Sequence, residues 1–228
     1  MTTVVISSGV VILGLLGVSQ NRLHGLARTW ARLLLWGLRV DLTVSGREHL
    51  EPGATYVFAA NHSSMLDIAA LLAELPRNFR WMAKKNLFKI PFFGWGMFFS
   101  GYIPVDRENR RAAVRSIGVA CQRIEEGASV AIFPEGTRTP EGRLIPFQSG
   151  GFVLAIRTGR PVVPVAIKGA GAALPRGSLY FQPGHIDLDI AQPIPTEGIS
   201  LSGRHELAQR TEDQVRRMLG LAGDEVDK

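Results

Sequence analysis

Two short segments about 70 residues apart hold the residue types for proton transfer beside an anion. They are Asn61-His62-Ser63-Ser64-Met65-Leu66-Asp67 and Phe133-Pro134-Glu135-Gly136-Thr137-Arg138-Thr139. The first brings an imidazole and a carboxylate within five positions. In a continuous helix that spacing turns two side chains about 140° apart. His62 is therefore expected on the turn before a helix, folding back toward Asp67. Ser64 and Asp67 have the spacing of a capping box, with Ser64 at the N-cap and Asp67 at N3. A carboxylate bonded to one imidazole nitrogen fixes the tautomer and leaves the other nitrogen as a base. A capped helix with a satisfied surface histidine is the plainer alternative. No third ligand at zinc-like spacing accompanies the pair, so no metal is expected. Ser63 and Ser64 lack the Gly-x-Ser-x-Gly surroundings of a nucleophile elbow.

In the second segment, Arg138 can take a phosphate through two parallel charge-assisted hydrogen bonds. Gly136 permits a tight turn against a ligand, and Glu135 can accept from a substrate hydroxyl or hold Arg138. A polar turn with a local ion pair is the alternative. Arg107 is a second candidate phosphate ligand, unless it pairs with Asp106 or Glu108. Lys85 lies in a basic stretch whose lysines can equally face solvent.

These side chains need a scaffold that presents them together. After residue 40, short apolar runs alternate with helical patterns. Strands are expected at Val40–Val44, Thr55–Ala60, Phe79–Ala83, Tyr102–Val105, Val130–Phe133, Val162–Ile167, Leu179–Phe181 and Ile186–Ile190. Helices are expected at Ser64–Ala73, Pro91–Phe99, Arg110–Glu126, Gly150–Thr158 and His205–Leu219. The alternation predicts an α/β fold, a mixed sheet flanked by helices. Residues 184–190 alternate strictly, which suggests an antiparallel edge. Both chemical segments begin where an expected strand ends, and open α/β sheets bind ligands beyond the carboxyl ends of their strands.

The chain has 228 residues, 46% of them hydrophobic, and a formal net charge of +6. That surplus suits nucleic acid, an anionic membrane face or a phosphorylated substrate. No RRM, KH or zinc-finger pattern is present, so no nucleic-acid partner is expected. Residues 75–105 mix five cations with aromatics and contain no acid, which suits a lipid interface. The lone Cys121 cannot form an intrachain disulfide and is expected as a small core residue.

Residues 1–40 contain no Asp or Glu. Val4 to Val18 is apolar but short for a membrane span. Helical geometry puts Arg28, Arg32 and Arg39 on one face, opposite Leu23, Leu26, Ala27, Trp30 and Leu34. The expectation is an N-terminal two-helix membrane-associating motif over 1–40, dipping into one leaflet or spanning once, with an ordinary buried helix as the alternative. An α/β domain over 41–222 and a polar tail over 223–228 follow. If the motif spans, its arginines place the domain at the cytoplasmic face.

Taken together, Asn-His-x-x-x-x-Asp and Phe-Pro-Glu-Gly-Thr-Arg resemble the glycerolipid acyltransferase family, and in particular its 1-acyl-glycerol-3-phosphate acyltransferases. Lys85 to Arg107 resembles the family's middle block, and Arg160-Pro161-Val162-Val163-Pro164-Val165 its fourth. The resemblance implies that His62, oriented by Asp67, deprotonates a lysophospholipid hydroxyl. That oxygen then attacks acyl-CoA or acyl-carrier protein, with no other cofactor, at a membrane bilayer. It implies substrate binding by Glu135, Gly136, Thr137, Arg138, Arg107 and Lys85. Two positions depart from the family pattern: Asn86 stands where Glu is common, and Phe147-Gln148-Ser149-Gly150 where a basic Phe-Lys run is usual. A different lyso-lipid acceptor, such as a lyso-aminolipid, therefore stays open. So do a hydrolase or thioesterase using the same histidine and a non-catalytic lipid-binding protein.

Overall fold

A computed structural model describes residues 2–76, 78–106, 108–178 and 180–221. The chain begins with two helices, α1 (Thr2–Leu15) and α2 (Gln20–Gly37). Then follow β1 (Val40–Ser45), β2 (Val57–Ala60), α3 (Leu66–Glu74), β3 (Phe79–Lys84), α4 (Phe93–Phe99) and β4 (Ile103–Val105). The second half runs α5 (Arg110–Glu125), β5 (Ser129–Ile132), α6 (Phe152–Thr158), β6 (Val162–Lys168), α7 (Ala170–Ala173), β7 (Gly184–Ile190) and α8 (Arg204–Met218).

The strands form one seven-stranded sheet in the order β1-β7-β6-β2-β5-β3-β4. Every neighbouring pair is parallel except β6 and β7. β2 and β5 are buried at every residue, as strands covered on both faces must be. Alternate residues feed two cores. Phe58 and Ala60 join α2 and α3 on one face, with Ala31, Leu35 and Leu71. Val57 and Ala59 face α5, α6 and α8 on the other, with Ile124, Phe152 and Val215.

Two strand expectations need correction. Residues 184–190 do pair antiparallel with β6, but β1 covers their other side, so β1 is the edge. Alternation reports that one face is covered, not that one side lacks a neighbour. Here Ile186, Leu188 and Ile190 are buried while His185, Asp187 and Asp189 form a polar face. In the strand expected at Leu179–Phe181, Leu179 lies outside the described residues. Tyr180 and Phe181 are not in a strand and are exposed. The tail expected at 223–228 also lies outside the described residues.

The first two helices are present, and Leu23, Ala27, Trp30 and Leu34 of α2 turn inward as grouped, but Leu26 is exposed and Arg28 is buried. Arg28 is only 8% exposed. Its Nη1 donates to Leu75 O at 2.6 Å and its Nη2 to Ala73 O at 3.1 Å. Arg32 Nη2 adds a bond to Ala73 O at 2.9 Å. These carbonyls end α3, where the helix has no further amides to offer and its dipole is negative. That pull sets the rotation of α2, so Leu26, Leu33 and Trp36 are exposed. Ala31 and Leu35 join the sheet core, so residues 20–37 share that core. α1 packs against α2 and α4. Its approach to α4 requires Gly14, where a Cβ would lie 2.4 Å from the Phe99 ring. No helix among the described residues is long and apolar enough to cross a membrane.

Candidate active site

β2 and β5 are direct parallel neighbours, with Val57 opposite Val130 and Ala59 opposite Ile132. The segments that leave their carboxyl ends therefore start side by side. Asn61 clips the first to β6: its Oδ1 accepts from Ile167 N at 2.7 Å and its Nδ2 donates to Ile167 O at 2.9 Å.

His62 sits on the incoming turn and folds back to Asp67, with Nδ1 2.8 Å from Oδ2. The same Oδ2 accepts from the amides of Ser63 at 2.7 Å and Ser64 at 2.8 Å. Burial pushes the Asp67 carboxyl up, against the bonds from His62 and the two serine amides. With three donors converging on it, Oδ2 must act as an acceptor, so His62 carries its proton on Nδ1. Nε2 makes no hydrogen bond to a described residue. The imidazole is 13% exposed, enough for one ring edge to meet a ligand. Phe133 stacks flat beneath the ring, and Trp81 beneath Phe133.

The expected capping box is displaced. α3 starts at Leu66 with Met65 in the N-cap position. Asp67 makes the reach-back half of the box to the Ser64 amide. Ser64 Oγ, however, donates to Leu174 O at 2.8 Å and accepts from Leu66 N at 3.2 Å. A tertiary bond has drawn the hydroxyl off the N3 amide.

Glu135 also differs from expectation. It is 1% exposed, and its carboxylate faces the protein. Oε1 accepts from the His62 amide at 2.6 Å, while Oε2 accepts from Thr139 Oγ1 at 2.9 Å and Ile145 N at 3.4 Å. Burial raises this carboxyl to about 7, against those hydrogen bonds. Thr139 N donates to His62 O at 2.8 Å. The two segments are thus tied backbone to side chain and backbone to backbone. Gly136 has φ 78°, a left-handed turn that suits glycine. Thr137 is exposed.

Arg138 follows this turn, half-buried, immediately before the residue bonded to His62. Its guanidinium has no hydrogen bond or ion pair among the described residues, whereas its backbone O accepts from Arg176 Nη1 at 2.8 Å. Lys85 lies just past the end of β3, two strands or about 10 Å across the sheet from β2. Its Nζ is 3.4 Å from Asp106 Oδ2 and it is largely exposed. Arg107 lies outside the described residues.

Sequence reasoning gave no role to Asn61, Glu141 or Arg176. Glu141 accepts from Gly169 N at 2.9 Å, Gly171 N at 2.7 Å and Ser63 Oγ at 3.1 Å, fastening the loop after the second segment to α7 and the first. Its partners are nearly 30 and 80 positions away, so no local pattern announces them. Among the described residues no group of three His, Cys, Asp or Glu is placed to hold a metal ion.

Comparison with known proteins agrees with this geometry. The chain is 38% identical over 173 residues to the 1-acyl-sn-glycerol-3-phosphate acyltransferase BAT2, chloroplastic, of Brassica napus, covering 75% of this chain and 50% of that protein. It is 36% identical over 173 residues to the LPAT1 acyltransferase of the same name in Arabidopsis thaliana, covering 75% and 48%. The chain thus spans about half the length of these curated relatives. In fold it is similar to the crystal structure of the 1-acyl-sn-glycerophosphate (LPA) acyltransferase PlsC from Thermotoga maritima. The TM-score is 0.78 at 27% identity, over 97% of this chain and 90% of that one. The Acyltransferase family model matches residues 41–168, which hold both chemical segments, and the chain belongs to that family.

Proposed function

We propose that this chain is an O-acyltransferase that moves a fatty acyl group from a thioester to the free hydroxyl of a lysophospholipid, with 1-acyl-glycerol-3-phosphate as acceptor and phosphatidic acid as product. One observation carries the reading. Glu135 and Thr139 fasten the Arg138 turn onto the backbone of His62, the residue whose imidazole Asp67 orients. On this reading the Arg138 guanidinium and the His62 imidazole act on one phosphorylated alcohol, because their backbones are tied within one residue of each other. The names of the relatives support the same acceptor.

His62 Nε2 takes the hydroxyl proton as the oxygen attacks the thioester carbonyl, forming the new C–O bond. The tetrahedral intermediate collapses, the C–S bond breaks, and the imidazolium returns its proton to the leaving thiolate. Arg138 binds the acceptor phosphate. Lys85 and Arg107 are assigned to the same anion, and Gly136 and Thr137 shape the turn around it. The donor is acyl-CoA or acyl-carrier protein.

The substrate reaches this site from a membrane surface. Exposed Val5, Leu15 and Leu16 on and just beyond α1, Leu33 and Trp36 on α2, and Trp95 and Phe98 on α4 supply apolar side chains from three packed helices. Exposed apolar side chains on packed helices of this kind suit insertion into one leaflet.

The test is turnover of labelled 1-acyl-glycerol-3-phosphate with each thioester donor, beside lyso-aminolipids. A diacyl product is expected. His62→Ala should lower turnover by roughly 10²–10⁴, and Asp67→Asn should lower it with the fold intact. Release of free fatty acid without diacyl lipid would replace this reading with a thioesterase.

A further inference from the structure

Between α7 and β7 the chain makes a tight turn, Pro175-Arg176-Gly177-Ser178. Ser178 N donates to Pro175 O at 3.0 Å, and Gly177 has φ 81°. A left-handed third residue is what a type II turn requires, and glycine supplies it. Arg176, at the second position, is exposed.

The turn is tied to both chemical segments. Leu174 O, just before it, accepts from Ser64 Oγ at 2.8 Å, so the first segment holds its entry. Arg176 Nη1 donates to Arg138 O at 2.8 Å, so the second holds its tip. The peptide unit that offers Arg138 O also offers Thr139 N, which donates to His62 O at 2.8 Å. One peptide therefore separates the Arg176 guanidinium from the His62 backbone, and Nη1 lies within about 8 Å of His62 O.

A guanidinium has five N–H donors in a planar fork. Arg176 makes a single hydrogen bond among the described residues, so most of its donors are free. The nearby carboxylates do not offset its charge, because each is turned to other donors. Asp67 Oδ2 holds His62 and two amides. Glu135 holds the His62 amide and the Thr139 hydroxyl. Glu141 holds Gly169, Gly171 and Ser63. Bracing one carbonyl needs one donor and no charge. Two arginines without counter-charge, one resting on the backbone of the other, suit a phosphate dianion.

We propose that Arg176 is a further substrate-binding residue: Nη1 stays on the Arg138 carbonyl while the remaining N–H groups bind a substrate phosphate. The inference rests on the reading that Arg138 faces such a phosphate. Two sources share this chemistry. One is the phosphomonoester of the lysophospholipid, on the carbon next to the reacting hydroxyl. The other is the phosphates of acyl-CoA.

Equilibrium binding to the full chain in detergent, which needs no turnover, tests the proposal. The ligands are two matched pairs: 1-acyl-glycerol-3-phosphate against 1-acyl-glycerol, and CoA against pantetheine. Arg176→Met should weaken a phosphate-bearing ligand by about 5- to 30-fold and leave its phosphate-free partner unchanged. Arg176→Lys, which keeps the charge, should recover part of the loss. Because the position is exposed, Tm should move by less than about 2 °C. A loss confined to 1-acyl-glycerol-3-phosphate identifies the acceptor as the source, and one confined to CoA identifies the donor. Equal weakening of all four ligands would reduce Arg176 to a brace of the Arg138 turn and overturn the proposal, as would unchanged binding of all four. Arg138→Ala separates the two readings. If it erases the preference for phosphate while Arg176→Met keeps it, this proposal fails and the proposed function stands. The proposed function fails separately, on the absence of diacyl product from a chain that still binds these ligands.

Discussion

The imidazole of His62 lies flat on the ring of Phe133, with centroids 3.9 Å apart and planes 9° from parallel. Trp81 continues the stack at 5.1 Å and 21°. The Asp67 bond fixes one edge of the imidazole, but a single hydrogen bond leaves a ring free to rock about it. The Phe133 face removes that rotation. An aromatic contact of this kind is worth about 0.5–1.5 kcal/mol.

Phe133→Leu keeps apolar volume and removes the flat surface. If His62 is the base as proposed, Phe133→Leu should lower kcat by about 2- to 10-fold and leave KM for the acyl donor unchanged, because the ring stacks on the His62 imidazole. Phe133→Tyr should restore most of the rate. Steady-state kinetics of the two variants decide the point. A change confined to KM would place Phe133 in the donor site instead.

The scaffold for this arrangement was legible where local pattern and position coincide. Thr55–Ala60 and Val130–Phe133 read as strands because each is a short apolar run, and both run into the chemical segments as expected. The five-residue spacing of His62 and Asp67 correctly put the histidine ahead of the helix. What stayed hidden depends on distant partners. The Glu135 carboxylate meets an amide 73 positions away, so a motif that looks ready for ligand instead braces the backbone of His62. The register of β2 on β5 makes that contact, and neither strand's sequence contains it. Helical periodicity grouped Arg28 with Arg32 but not which neighbour that face would meet. The answer lay in unpaired carbonyls at the end of α3. Likewise the alternation of residues 184–190 gave a half-covered strand, while its position inside the sheet came from β1.

Glu135 has a stability signature of its own. Its folded-state value of about 7 stands above the ordinary carboxylate value, because burial disfavours the charge. The folded protein then holds this proton more tightly than the unfolded chain. The associated stability is fully present below the unfolded value, about 4.3, and is lost as pH rises through about 7. Glu135→Gln has no such proton. The Tm advantage of the parent chain over Glu135→Gln should therefore shrink between about pH 5 and pH 8. Thermal melts across that range check it, and a constant difference would mean that Glu135 ionises alike in both states. Because the carboxyl touches the His62 backbone rather than substrate, the same variant should affect kcat more than the acceptor KM.

Arg28 separates two accounts of the N-terminal helices. On the expected amphipathic reading its guanidinium sits with Arg32 and Arg39 on a solvated face, and its loss would weaken binding to anionic vesicles while leaving folding alone. In the structure it is buried against the last turn of α3, with two bonds to carbonyls that α3 itself leaves unpaired. Arg28→Met keeps the aliphatic stem but removes both of these bonds, leaving Ala73 O to Arg32 alone and Leu75 O without its guanidinium. Hydrogen bonds to a charged group contribute about 1.5–3 kcal/mol, so Tm should fall by roughly 4–10 °C. Arg22→Met, at an exposed position near the start of α2, should change it by less than about 2 °C. Thermal melts and vesicle sedimentation of both variants distinguish the accounts. A normal Tm with lost sedimentation in Arg28→Met would return the arginine face to the membrane.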